Sequence, residues 1–320
     1  MKININLDYK YLPITKNISF KPIFIMGLHR SGTSILYKML ASTKKFNTVT
    51  AYHILNYDEL LYNKVNNLEE KAIKDLEIIF KNKGITNRKI DNLQITPDFA
   101  QEYVYLLTKK NKNNKITLKN LDLIKEMCKK IQYISMNENP IILKNPYDFS
   151  NFIFIKKMLP ESKFIFIHRN PIHVINSNMQ AWDVLLKEKN PYTALFSDYY
   201  EKIFRNPLLL CINRVYYSSV LPIGIFSIIN RAIKDTKYYL ENIDSLENKD
   251  YISITYESLC KNPNKTMFII TKFLNNESYK IDFSCFIKTR GNILTPPAEI
   301  LSKFMYKKMK TYFKEFGYEL

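Results

Sequence analysis

The chain has 320 residues, 46% of them hydrophobic, and a formal charge of +18 from 48 Lys and Arg against 30 Asp and Glu. That length and apolar share exclude wholesale disorder and suffice for one large α/β domain or two small ones. The charge suits an anionic partner; with no arginine-rich tail, no RNA-binding aromatic signature and no zinc-finger spacing, it argues against nucleic acid and leaves a membrane surface or a polyanionic small molecule.

Met1 is followed by Lys-Ile-Asn-Ile-Asn-Leu-Asp, without the long apolar run of a secretory signal. The apolar run 22–27 predicts a first buried strand, and Thr33 to Ser42 a first helix. From Thr48 a short extended piece leads through Tyr52 and His53 into another helix. Helical periodicity recurs over 67–82 and 97–108, the second opened by Thr96 as cap and Pro97 at the first helical position. Polar connectors run from Lys83 to Asn92 and from Lys109 to Lys115, and 121–137 is again helical. Three more short runs of apolar, β-branched or aromatic residues read as strands: 140–144, 163–169 and 251–255. Helical stretches 148–158, 171–187 and a longer region to 242 separate them. Strands alternating with helices predict an α/β fold with a mostly parallel sheet covered on both faces.

Leu208 to Ile229 is the most apolar segment. Asn213, Arg214, Pro222 and Gly224 interrupt it, which argues against a membrane-spanning helix and for core or substrate-pocket helices. Ala298 to Phe316 predicts a basic amphipathic surface helix packed by Ile300, Phe304 and Tyr312, and its basic face leaves peripheral membrane contact open. Cys128, Cys211, Cys260 and Cys285 stand far apart without a Cys-x-x-Cys pair. That argues against a disulfide framework or a zinc site and suits a reducing, cytoplasmic setting. No repeat or boundary interrupts the chain, so the expectation is a single domain over 1–320.

Two stretches carry the chemistry. In Gly27-Leu28-His29-Arg30-Ser31-Gly32-Thr33-Ser34 a strand stops at glycine, a short polar loop follows and a helix begins. Free backbone N–H groups and the positive end of the helix dipole converge there, where a phosphate can sit. The spacing Gly-x-x-x-x-Gly-Thr-Ser is that of a P-loop, except that Thr33 replaces the lysine and the basic residue comes earlier, at Arg30. In His168-Arg169-Asn170-Pro171 a second strand ends in arginine, Asn170 can cap and Pro171 can begin a helix. Arg169 is thereby placed to grip a phosphate, with Ser177 eight residues on.

Together the two stretches resemble the sulfotransferase family, in its Pro-Arg-Ser-Gly-Thr branch, though His29 replaces the proline. Ile142-Leu143-Lys144-Asn145-Pro146 is similar to the family's Leu-Lys-Ser-Pro segment, and Tyr256-Glu257-Ser258-Leu259 with Pro263 to its Tyr-Glu-Asp-Leu…Pro segment. The resemblance implies a P-loop-like three-layer fold and 3′-phosphoadenosine 5′-phosphosulfate (PAPS) as sulfuryl donor. It implies that Arg30, Ser31, Gly32, Thr33 and Ser34 cradle the 5′-phosphosulfate, with Arg30 on the transferring sulfuryl group. Arg169 and Ser177 then hold the 3′-phosphate, Tyr256 lies near the nucleotide, and Arg290-Gly291-Asn292 closes over the 3′-phosphate. Lys144 adds positive charge near the sulfonate. Related branches carry Glu or His a short way beyond the loop; here His53 holds that place as the base for the acceptor hydroxyl, with Glu59 and Asp58 in reserve. The family uses no metal, and no Asp/Glu/His cluster in the sequence suggests one. Residues 60–115 and 186–249 match no segment of the family, and the choice of a carbohydrate, lipid or small-metabolite acceptor falls to them.

Two rival readings remain at this point. A small-molecule kinase built on the same loop predicts ATP–Mg²⁺ binding, which the absent lysine disfavours. A basic nucleic-acid or membrane-surface binding protein needs neither Arg169 nor Ser177.

Overall fold

Every run read as a strand forms one in the computed structural model, which describes residues 6–89, 94–218, 223–277, 280–287 and 294–319. Arg290, Gly291 and Asn292 lie outside the described residues. The strands are β1 (Pro22–Met26), β2 (Asn47–Thr48), β3 (Ile141–Lys144), β4 (Lys163–His168) and β5 (Tyr251–Thr255), paired all-parallel in the order β2-β3-β1-β4-β5. β2, at two residues, is too short for any periodicity to register. The helices, in chain order, are α1 (Thr33–Ser42), α2 (Ala51–Leu55), α3 (Leu60–Val65), α4 (Glu69–Asn82), α5 (Val104–Asn111), α6 (Leu121–Ser135), α7 (Phe152–Met158) and α8 (Pro171–Lys187). They continue as α9 (Pro191–Phe196), α10 (Asp198–Arg205), α11 (Pro207–Tyr216), α12 (Ile223–Asn242), α13 (Tyr256–Lys261), α14 (Pro263–Phe273), α15 (Pro296–Lys308) and α16 (Lys310–Glu315).

Strand side chains alternate between two separate cores, as the pleat requires. Phe24 and Met26 of β1 join Ile141, Leu143, Phe164 and Phe166 beneath α6, α7, α8 and α12. Ile23 and Ile25 join Ile142, Ile165 and Ile167 against Leu36, Leu40, Met267 and Ile270 of α1 and α14. β1 sits centrally, with β3 on one side and β4 on the other. Connections diverge at such a strand, and the crevice beyond its carboxyl end is where open α/β sheets bind ligands.

Three expectations need correction. The helix read at 97–108 begins only at Val104, because 97–103 lies against the entry to α2: Tyr52 N–H bonds Pro97 O at 2.8 Å, Ala51 N–H bonds Phe99 O at 3.0 Å and Gln101 N–H bonds Val49 O at 2.8 Å. Backbone groups satisfied across the chain in this way override local helix propensity. The C-terminal helix is two, broken at Met309, and its buried face is Ala298, Met305, Tyr312 and Phe313, while Ile300 stays 76% exposed. α11, expected in the core or pocket, instead turns Leu208, Ile212 and Val215 to solvent. Among the described residues no helix is long and apolar enough to cross a membrane.

The N-terminal turn Leu7–Thr15 is tied down by a buried charge cluster. Lys130 of α6 reaches Asp8 and Glu126, each at 2.9 Å, and stands 4.1 Å from the centre of the Tyr57 ring.

Candidate active site

β1 ends at Met26, and the chain turns at once. A Cβ on Gly27 would stand 2.6 Å from both Ile167 O and Ser31 Oγ, so only glycine fits. Arg30 takes a positive φ of 72° and Gly32 one of 102°, where a Cβ would lie 2.3 Å from the Tyr256 ring. No side chain caps α1 at Gly32, which leaves its first-turn amides and dipole for an anion. Ser31 Oγ is buried beneath the loop without a hydrogen-bond partner.

The second stretch behaves as its sequence implies. Asn170 accepts from Ile172 N–H at 2.9 Å and Pro171 opens α8. Arg169, one residue past β4, donates from Nη1 to the Arg30 carbonyl at 2.9 Å, its guanidinium 4.5 Å from the centre of the Tyr256 ring. Arg30 in turn donates from Nε to Ser177 Oγ at 3.2 Å, and Asn178 Nδ2 donates to His29 O at 3.0 Å. The loop after β1 is thus stitched to the strand end and helix after β4. Arg30, Arg169 and Ser177 form one connected wall.

Lys144, the last residue of β3 and 2% exposed, donates to Ser34 Oγ at 2.8 Å and to Glu102 Oε1 at 2.6 Å. Burial opposes charge on Glu102, but the surrounding cations, Lys144 foremost, together outweigh it and hold the carboxyl below its usual range. The pair is positioned from behind. Tyr103 N–H bonds Lys144 O at 3.3 Å, and the Tyr103 hydroxyl donates to buried Asp148 at 2.6 Å. Asp148 also accepts from Asn145 Nδ2 at 2.9 Å, Asn151 Nδ2 at 2.7 Å and Ile116 N–H at 3.1 Å. His29 packs edge-on against Tyr147, and burial, then the Arg231 charge, push its pKa down to about 3, so the imidazole is neutral.

His29, Glu102, Lys144 and Tyr147 line one cavity of about 1690 Å³. A single small-molecule pocket measures roughly 300–1,000 Å³, so there is room for two substrates. Arg30, Gly32, Thr33, Ser34, Lys144, Arg169, Ser177 and Tyr256 line it, and so do the apolar or aromatic side chains of Val104, Tyr105, Trp182, Leu185, Phe196 and Tyr199. Ser31 supports the loop from below. His53 does not line it. Its Nδ1 accepts from Thr50 N–H at 3.2 Å while its backbone N–H donates to Thr50 Oγ1, a reciprocal cap on α2. Desolvation lowers its pKa to about 4. Asp58 is paired with Lys110 at 2.6 Å, Glu59 precedes α3, and neither lines the cavity. The carboxylate that does stand beside Lys144, Glu102, carries no motif in sequence, and only the fold shows its placement. Among the described residues no group of three His, Cys, Asp or Glu side chains could hold a metal ion.

The family model described as "Sulfotransferase family" matches residues 22–279. Among solved structures, a sulfotransferase from Mycobacterium avium superposes with a TM-score of 0.64 at 11% identity, covering 98% of this chain and 80% of that one. A sulfotransferase from Mycobacterium tuberculosis H37Rv gives 0.60 at 13% identity, with 95% and 80% covered. One from Alicyclobacillus acidocaldarius gives 0.50 at 12%, with 95% and 98% covered. At such identities these likenesses speak for the fold. No curated protein gave a significant match.

Proposed function

Because the chain belongs to the sulfotransferase family, we propose that it moves a sulfuryl group from PAPS to an acceptor hydroxyl, releasing 3′,5′-adenosine bisphosphate. The observation that carries this reading is two bonded groups lining one cavity, Lys144 with Ser34 and Arg30 with Arg169 and Ser177. The uncapped start of α1, Thr33 and Ser34 receive the 5′-phosphate, and Gly32 lets the loop approach closely. Arg169 and Ser177 hold the 3′-phosphate, with Tyr256 beneath the Arg169 guanidinium. Arg30, whose Nε donates to Ser177, strengthens that end, and Lys144 then stands at the transferring sulfuryl oxygens in place of Arg30. Fixed cations around the spreading negative charge of an in-line transfer supply most of what such chemistry needs.

Glu102 takes the acceptor proton. It is the carboxylate on the cavity wall next to the cation at the reacting group, and it is ionised at neutral pH. The apolar lining supplied by Trp182, Leu185 and Phe196 favours a lipid or small-metabolite alcohol over a carbohydrate. Isothermal calorimetry tests the donor: 3′,5′-adenosine bisphosphate is expected to bind at least about tenfold more tightly than ATP–Mg²⁺ or a DNA oligomer. Failure to bind the bisphosphate overturns the reading.

His53 acts only as a helix cap in this account. His53→Ala is expected to cost about 0.5–2 kcal/mol in urea unfolding, the usual loss for a cap, and to leave turnover within about threefold. Abolished turnover in a folded His53→Ala protein would restore it as the base.

A further inference from the structure

The turn that ends α16 reaches the cavity. Gly317 takes a positive φ of 65°, its N–H bonds Lys314 O at 3.3 Å, and Tyr318 N–H bonds Phe313 O at 2.8 Å. This is the paired bonding of a glycine-capped helix end, and the Tyr318 ring packs edge-on against Phe313 as such ends favour. The helix end is seated on β4. The Tyr312 hydroxyl bonds His168 Nδ1 at 2.8 Å, and Phe316 stacks on the His168 ring at 3.9 Å and 20°. His168 is buried and directly precedes Arg169. Cap and seat together bring Tyr318 and Glu319 to the same cavity that Arg169 lines.

What Tyr318 touches there is an acid. Its hydroxyl donates to Glu257 Oε2 at 3.3 Å, while Asn170 N–H donates to Glu257 Oε1 at 3.2 Å. Asn170 Nδ2 also donates to Glu319 O at 3.1 Å, which ties the turn to the residue after Arg169. Both oxygens of Glu257 are thus engaged. Glu257 is close to Arg169: it follows Tyr256, whose ring lies under the guanidinium. At His173, Cys260 and Tyr318 burial is the larger influence, but the charges of Arg169 and Glu257 both act on each of the three. Among the described residues no ion pair joins the two charges; Arg169 donates to the Arg30 carbonyl instead. An acid released beside an arginine pairs with it and takes the donors that a phosphate would use.

We propose that Tyr318 is a positioning residue for donor binding: with Asn170 N–H it holds the Glu257 carboxylate off Arg169, leaving that guanidinium for the 3′-phosphate. The proposal rests on the sulfuryl-transfer reading of the same site. Calorimetry on the full chain tests it with 3′,5′-adenosine bisphosphate and adenosine 5′-monophosphate. Tyr318→Phe removes the hydroxyl and keeps the ring on Phe313. It is expected to weaken the bisphosphate about three- to tenfold and the monophosphate less than about twofold. In a Glu257→Gln background the same change should cost less than about twofold, because the amide carries no charge to set against the phosphate on Arg169. A merely structural loss would be the same in both backgrounds. Unchanged bisphosphate binding in Tyr318→Phe, equal loss on the two nucleotides, or the same loss with Glu257 and with Gln at that position overturns the proposal and leaves the sulfuryl-transfer reading in place. A wild-type chain that does not bind the bisphosphate overturns that reading, and this proposal with it.

Discussion

Arg169→Ala is expected to weaken 3′,5′-adenosine bisphosphate by about 30- to 5,000-fold, from the roughly 2–5 kcal/mol lost when one member of a desolvated charge pair is truncated. The same change should weaken a nucleotide lacking the 3′-phosphate by less than about tenfold. The asymmetry follows from position. Arg169 leaves the end of β4, where the adjoining start of α8 fixes its backbone, and its guanidinium lies over Tyr256 with one nitrogen already on the Arg30 carbonyl. Two of its remaining donors suit a bidentate phosphate. Its bond to the Arg30 carbonyl also helps hold that residue's positive φ, so a modest loss at the 5′ side is part of the expectation. Calorimetry on the two nucleotides decides it. Equal weakening would remove the 3′-phosphate from Arg169 and leave it a loop-bracing residue.

The sheet was legible because parallel strands buried on both faces are written as short unbroken apolar runs. Pro22–Met26, Ile141–Lys144 and Lys163–His168 have that form, whereas the edge strand Tyr251–Thr255 is only partly buried and alternates isoleucine with Ser253 and Thr255; the all-parallel pairing is what the intervening helices require. α8 was legible to the residue, since Asn170 and Pro171 start it by local chemistry alone. The errors fall where long-range contacts decide. Residues 97–103 satisfy their backbone against Val49, Ala51 and Tyr52, nearly fifty positions away in sequence, and no local pattern encodes that choice. α11 was apolar enough to read as core, but apolar composition does not say whether a helix finds a partner face.

The site divides along the same line. The loop after β1 and the Arg169 stretch sit where strands end and helices begin, so their spacing in sequence maps directly onto geometry. A role that depends on which side chain reaches over from elsewhere does not map in this way. His53 stood at a familiar distance from the loop, yet the capping bonds to Thr50 make it part of the cap at the start of α2. Arg30 was read as facing the sulfuryl group because of its place in the loop; that its Nε donates to Ser177 Oγ from a left-handed backbone is something only the fold shows. Lys144, from another strand, reaches Ser34. Glu102 was invisible, being one acid in a stretch whose path is set by the Asp148 cluster behind Tyr103.

That placement makes Glu102→Gln the most consequential substitution. Turnover is expected to fall by about 10²–10⁴-fold, the usual range for loss of a positioned proton acceptor. Bisphosphate affinity should change by less than about threefold, because the amide keeps the shape of the side chain and its oxygen can still accept from Lys144. The pH dependence carries a second, sharper expectation. In the free enzyme Lys144 holds the Glu102 carboxyl below its ordinary value of 4.5, so the group stays ionised through the neutral range and loses its charge only at lower pH. A base held that low is weak. Donor binding changes this: sulfuryl oxygens drawn to Lys144 share its charge, Glu102 is released from part of that field, and its basicity rises at the step where it is needed. With donor as the varied substrate, the acid limb of kcat should therefore lie at higher pH than that of kcat/KM, since the first reports the bound enzyme and the second the free one. Both limbs should disappear into the residual rate of Glu102→Gln. Near-normal turnover in that variant, or a limb at the ordinary imidazole value of about 6.5 that survives it, would move proton transfer to a histidine.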